Sequence, residues 1–77
     1  MPTILRNKGF RFFFYTNDHS PPHIHIEKDN NTAKFSLEPV ELLKSKGFNA
    51  HEINSIRKLV IVYKELFKSK WNEHFNN

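Results

Sequence analysis

Cysteine is absent from this chain. That removes disulfide frameworks and thiolate metal sites together. Glycine is nearly absent too, with Gly9 and Gly47 the only two. Neither belongs to a phosphate-cradling loop, which argues against a nucleoside-triphosphate enzyme. No serine, histidine and carboxylate stand at a spacing that defines a nucleophilic triad. Long apolar runs are missing as well. The longest, Leu59 to Tyr63, falls far short of the roughly 20 residues that span a bilayer. No basic segment followed by an apolar one precedes the first strand-like residues, so the sequence points to the cytoplasm and away from membranes.

What remains is short, aromatic and basic. Seventy-seven residues make a single domain, residues 1–77, read as a β-sheet part (1–38) and a helical part (39–77). A chain of this size buries a modest share of its surface. Eight Phe, two Tyr and one Trp supply large buried areas from few positions. Twelve Lys and Arg against eight Asp and Glu give a net charge of +4. That balance favours anionic partners, nucleic acid above all. Many small domains of similar charge bind nothing anionic, so charge alone does not decide the matter.

The first half reads as strands. Thr3-Ile4-Leu5-Arg6 and Phe10 to Tyr15 flank Asn7-Lys8-Gly9, a link short enough for a hairpin. Thr16 to Pro22 is a loop rich in turn formers. His23-Ile24-His25-Ile26-Glu27-Lys28 alternates polar and apolar, as a half-buried strand does. Ala33 to Leu37 alternates again. With Asn30-Asn31 as the central turn residues, Ile26 would meet Phe35 and Ile24 would meet Leu37. His25 would then meet Ser36, and His23 would meet Glu38. This places His23, His25 and Glu27 on the face turned away from the main core.

Beyond Pro39 the pattern becomes helical. Pro39 at a first helical position and Gly47 as a stop predict a short helix over Val40 to Lys46. Asn49 and Glu52 form a capping box, with Phe48 and Ile53 at the staple positions. Ile53, Ile56, Val60, Tyr63, Phe67 and Trp71 then recur at helical spacing. The spacing predicts one helix running to about Phe75, roughly 39 Å long and overhanging the domain at one end. The expected fold is α+β: a four-stranded, mostly antiparallel sheet packed against a long C-terminal helix, with a short helix or turn before it.

The chemistry concentrates at His19, His23 and His25. Two histidines two apart on a strand project to one side. They suit a general base and general acid near neutral pH. They also suit a divalent metal, with His19, Asp18 or Glu27 completing the ligands. A third reading has them as half-exposed strand residues bonded to Ser36 and Glu38. Arg6 falls opposite Arg11 in the first hairpin, on the face of Phe13 and Tyr15. If that face continues the histidine face, with Lys28 and Lys34 framing it, the surface suits single-stranded RNA. Phe13 is the more natural core residue of the two aromatics. His51 and His74 are explained by the helix surface. Lys44, Lys46, Lys58, Lys64, Lys68 and Lys70 read as solvated helix positions.

The run from Met1-Pro2-Thr3-Ile4-Leu5-Arg6 through Phe10 to Tyr15, Asn17-Asp18-His19 and Pro21-Pro22-His23-Ile24-His25 resembles a family of small prokaryotic proteins, the Domain of Unknown Function 4160 family. Ala33-Lys34-Phe35, Pro39-Val40, Gly47-Phe48 and Trp71-Asn72-Glu73 extend the resemblance over almost the whole chain. Asp-His-x-Pro-Pro-His-x-His is its most specific part. The resemblance implies a second small protein encoded nearby, and through it a toxin–antitoxin-type pair. The expected function is therefore a toxin-like ribonuclease or RNA-binding protein, independent of metal and cofactor. His23 and His25 would be the acid–base pair and Arg11 the electrostatic stabiliser, with His19, Arg6, Lys28, Lys34 and Tyr15 binding. The alternatives are a non-enzymatic interaction module for the neighbouring gene product and a histidine-based metal-binding domain. Either hairpin face is apolar enough for a homo-oligomer contact or for a two-sided core.

Overall fold

The computed structural model describes residues 3–75, so Met1 and Pro2, which open the motif-bearing run, lie outside the described residues. The elements are β1 (Thr3–Asn7), β2 (Phe10–Phe13), β3 (His23–Lys28), β4 (Asn31–Leu37), β5 (Val40–Lys46), α1 (Ala50–Val62) and α2 (Lys64–Phe75). The five strands pair antiparallel in the order β1-β2-β3-β4-β5, each beside its predecessor in the chain.

The first hairpin follows from its turn residues. Lys8 (φ 54°) and Gly9 (φ 84°) both take the left-handed conformation, which a two-residue hairpin of this hand requires. Asn7 then faces Phe10, and Arg6 faces Arg11, as expected. In the β3–β4 hairpin, Asp29 (φ 57°) turns the chain one step earlier than Asn30-Asn31 would. Lys28 therefore pairs with Asn31, Ile26 with Ala33, Ile24 with Phe35, His25 with Lys34 and His23 with Ser36. The displacement is two residues, so every side chain keeps its expected face and only its partner changes.

Val40–Lys46 is a fifth strand and not a short helix. It pairs with β4 from Leu37↔Val40 to Thr32↔Lys46, with an irregularity between Lys34 and Phe35. Glu38-Pro39 is the turn of this hairpin, so Pro39 marks a chain reversal and not a helix start. Gly47 (φ 93°) closes the strand, and a Cβ there would run into the Asn31 side chain. Lys44 and Lys46 on this outermost strand discourage pairing with a further sheet.

The long helix is two helices. Tyr63 (φ −102°, ψ 15°) interrupts it, although the Tyr63 N–H still donates to the Leu59 carbonyl at 2.9 Å and the Phe67 N–H to the Tyr63 carbonyl at 3.0 Å. Val60-Ile61-Val62, a run of β-branched residues, is a weak place in a helix. The break lets α2 follow the sheet, and the whole domain is 37 Å in its longest dimension. The expected overhang disappears: Trp71, two turns into α2, is 4% exposed. The capping box forms as read, with Asn49 Oδ1 accepting from Glu52 N–H (2.8 Å) and Glu52 Oε1 accepting from Asn49 N–H (3.1 Å).

Both helices cover one face of the sheet. Phe12, Phe14, Ile24, Ile26, Phe35 and Leu37 meet Ile53, Ile56, Val60, Phe67 and Trp71 there. Phe12 stacks on Phe67 at 5.3 Å, and Phe14 meets Trp71 edge-on at 5.3 Å. No helix among the described residues is long and apolar enough to cross a membrane.

Candidate functional site

The uncovered face of the sheet carries Arg11, Phe13 and Tyr15 from β2 and its extension. His25 and Glu27 follow from β3, and Lys34 from β4. Phe13 lies opposite His25 and stacks on it at 5.5 Å, nearly parallel. Tyr15 meets the same imidazole edge-on at 4.5 Å. Phe13 is buried although no helix covers it, because Arg11 lies over its ring at 4.2 Å and Tyr15 and His25 flank it. The first hairpin thus has a two-sided core.

The loop between β2 and β3 delivers the acid. Tyr15 and Asp18 close a turn in which the Asp18 N–H donates to the Tyr15 carbonyl (3.2 Å) and the Tyr15 N–H donates to Asp18 Oδ2 (2.9 Å). This turn swings Asp18 Oδ1 over the strand, to 3.1 Å from both His23 Nε2 and His25 Nε2. The contact with His25 has hydrogen-bond alignment. His23 is fixed from its other side, where Nδ1 lies 2.9 Å from the Pro21 carbonyl oxygen. A carbonyl only accepts, so Nδ1 carries the proton. The two imidazoles stand 5.0 Å apart and almost perpendicular.

Burial and charge act on this cluster together. Burial pushes the Asp18 carboxyl up, but the Tyr15 N–H and the two imidazoles outweigh it and leave it below its ordinary value. For His25 burial dominates and holds the ring below its ordinary value, against the pull of Asp18; His23 and Lys34 push the same way as burial.

Beside His25 the surface opens into a cleft of about 220 Å³, lined by Phe13, Tyr15, Thr32, Lys34 and Lys44 among others. Lys34 and Lys44 face each other across β4 and β5. No buried side-chain nitrogen or oxygen lacks a partner among the described residues, and the His25 side chain, bonded through Nε2, keeps 16% of its surface exposed.

The expected site residues divide accordingly. His23 and His25 come together, with Tyr15 and Lys34 beside His25. His23 does not face open space: it is buried and packs against Trp71 at 5.0 Å, because the end of α2 reaches the start of β3. Arg11 continues the histidine face, but its guanidinium is bound to Glu27 Oε1 at 2.6 Å and to Thr3 Oγ1 at 2.9 Å. Arg6 is exposed on the outer strand β1. His19 is exposed and outside the cluster. Lys28 lies on the other face of the sheet, 5.1 Å from the Phe10 ring, and does not frame the histidines. Two residues gain importance. Asp18, which the sequence offers only as one optional metal ligand, joins the two histidines. Lys44, read as solvated helix surface, stands on β5 at the cleft. The Asn-Asp turn before a Pro-Pro pair was the available signal for the first.

No curated protein and no solved structure matches this chain. A family model does match, that of the domain of unknown function DUF4160, over residues 9–72 and with the whole Asp18-to-His25 segment inside it. The match spans β2 to β5, α1, most of α2 and the joined histidines, so this chain belongs to that family.

Proposed function

We propose that the protein is the toxin-like, RNA-directed member of a two-protein pair, and that His25 is its reactive group. The observation that carries this reading is the placement of His25. Its Nε2 is held by Asp18, which leaves Nδ1 as the basic nitrogen of a ring that lines a cleft bearing an aromatic ring and two lysines. An RNA strand supplies what each group needs. Lys34 and Lys44 meet a phosphate, and Tyr15, 41% exposed, offers its ring to a base. His25 Nδ1 takes the proton of a ribose 2′-OH, whose oxygen attacks the adjacent phosphorus and expels the 5′-oxygen of the next nucleotide, which takes that proton back from the imidazolium. An Asp carboxylate on the far nitrogen fixes the tautomer for that role, as in other carboxylate–imidazole pairs. Charge stabilisation falls to Lys34 and Lys44, since Arg11 is bound to Glu27. His23, with both nitrogens engaged, is a positioning residue.

The test is expression of the wild type and His25→Ala in a bacterial host, followed by single-stranded RNA cleavage with the purified proteins. Growth arrest and cleavage by the wild type, both lost in soluble His25→Ala, are the expected results. Equal cleavage by the two proteins, or none by either, sinks the reading. One observation favours the interaction-module alternative. Ile61 and Val62, at the junction of α1 and α2, are 56% and 71% exposed. Lone large apolar side chains are ordinary on a surface, but neighbours at a helix junction suit a partner. Co-purification with the neighbouring gene product, lost in Ile61→Ser/Val62→Ser, is its expected sign.

A further inference from the structure

We propose that Asp18, His23 and His25 form a binding site for one divalent transition-metal ion of the zinc, cobalt or nickel kind. The argument begins with spacing. Ligand atoms at about 2.0–2.2 Å from such an ion, at angles between square and tetrahedral, stand about 2.9–3.5 Å apart. Asp18 Oδ1 is 3.1 Å from His23 Nε2 and 3.1 Å from His25 Nε2, and the three atoms all lie within 4.8 Å of one another. The set closes around an ion with movements of side-chain size.

The proton inventory gives the second argument. His23 Nδ1–H donates to the Pro21 carbonyl, so in the neutral ring Nε2 presents its lone pair. That lone pair stands 3.1 Å from a carboxylate oxygen, which presents lone pairs of its own. Two acceptors at that distance repel unless a cation lies between them. The cation is a second proton on His23 or a metal ion. The proton would serve the His23 contact alone, whereas a metal ion would engage both imidazoles through the same carboxylate oxygen.

The surroundings supply the outer partners that metal ligands need. His23 is fixed through its far nitrogen by a backbone carbonyl. Asp18 is fixed through Oδ2 by the Tyr15 N–H, leaving Oδ1 for the ion. Two imidazoles and one carboxylate select a borderline transition ion over magnesium or calcium. Three protein ligands leave at least one coordination position open. The ligand choices left open by sequence also narrow: His19 lies outside, and Glu27 is occupied by Arg11.

Resting on the reading given under Proposed function, the ion acts on the same imidazole from behind. A metal on His25 Nε2 moves that ring's remaining proton to Nδ1. That nitrogen then donates a hydrogen bond and no longer accepts a proton. Metal-loaded protein holds a phosphate there and does not deprotonate a 2′-OH, so occupancy suppresses cleavage while leaving RNA binding in place.

Metal binding is tested first, without RNA. Tag-free protein treated with chelator and then dialysed is titrated with Zn²⁺ by calorimetry and with Co²⁺ by fluorescence. Trp71, the only tryptophan and 5.0 Å from His23, is the reporter. The expected result is one Zn²⁺ per chain and quenching of Trp71 by Co²⁺. Asp18→Asn and His23→Gln weaken both by at least about a hundredfold, and His19→Ala leaves both unchanged. Circular dichroism of each variant separates ligand loss from misfolding. If Asp18→Asn is unfolded, His25→Gln takes its place. No stoichiometric binding by the wild type, or equal binding by wild type, Asp18→Asn and His23→Gln, overturns the site. Stoichiometric binding without any RNA cleavage leaves the site standing and removes the catalytic reading alone.

Discussion

Removing Lys34 and Lys44 together should change how RNA affinity responds to salt, and by a calculable amount. The two residues face each other across neighbouring strands and line one cleft with His25 and Tyr15, so a strand lying there meets both charges. For single-stranded nucleic acid, the logarithm of the binding constant falls with the logarithm of salt by about 0.7 per neutralised phosphate. Two lost contacts therefore flatten the slope by about 1.4. Between roughly 50 and 200 mM salt, a fourfold change, the wild type should lose about sevenfold more affinity than Lys34→Ala/Lys44→Ala. The assay is fluorescence anisotropy on a labelled, unstructured RNA oligonucleotide at four or five salt concentrations. Lys58→Ala/Lys64→Ala, which removes the same charge from the helices, is the control and should keep the wild-type slope. Parallel lines for the wild type and the cleft variant refute the placement of phosphate between these lysines. A slope flattened equally by the control reduces the effect to net charge.

Other outcomes follow from the same geometry. His25 and Asp18 both hold protons less readily when folded than when unfolded, so acid must destabilise the fold in chelator. For His25 the loss begins below the ordinary value of 6.5 and grows until the lowered folded value is passed; for Asp18 the contribution present above 3.8 is lost at lower pH. Thermal unfolding at about pH 7 and pH 5 should show a falling midpoint, with a smaller fall in His25→Gln; a midpoint that rises contradicts the sign. Gly47→Ala should cost about 1 kcal/mol or more, since Gly47 is in the left-handed region and the added Cβ meets Asn31; urea unfolding measures it, and an unchanged midpoint would contradict the geometry. Trp71→Ala should cost about 3–5 kcal/mol by opening a cavity under the end of α2. It should also free His23, detectable as a change in that ring's NMR shifts.

How far the sequence could be read depended on how local each determinant is. The capping box is complete within four residues, and Asn49 and Glu52 announce it unaided. The face of each β3 residue follows from its period of two, which survived a turn misplaced by one position because the partners moved by two. Val40 to Lys46 is different. Leu42 and Leu43 stand side by side, so the segment lacks clean alternation, and flanking Pro39 and Gly47 suit either a helix or a hairpin. What decides is the edge that β4 presents, which lies outside the segment. The helix break leaves no mark in the periodicity, because the apolar stripe from Ile53 to Trp71 continues across Tyr63 without a change of spacing. At the site, the two histidines were legible as a pair. Asp18 joins them only because its turn folds back across the strand, a contact that spacing along the chain does not reveal. Lys28 and Lys34 looked equivalent in charge; opposite faces of the sheet separate them.

The meander also gives the molecule two unlike ends. Tyr15, Asp18 and His23 gather at one. The Lys8-Gly9 and Asp29-Asn30 turns and Gly47 gather at the other, where Gly9 and Gly47 sit against Lys28 and Asn31. A peptide tag or a fluorophore grafted at Asp29-Asn30 is thereby anchored a full strand's length from Asp18 and His23, and four residues from His25. The far turn becomes a handle by which the protein can be tethered to a surface with its reactive end presented to solution.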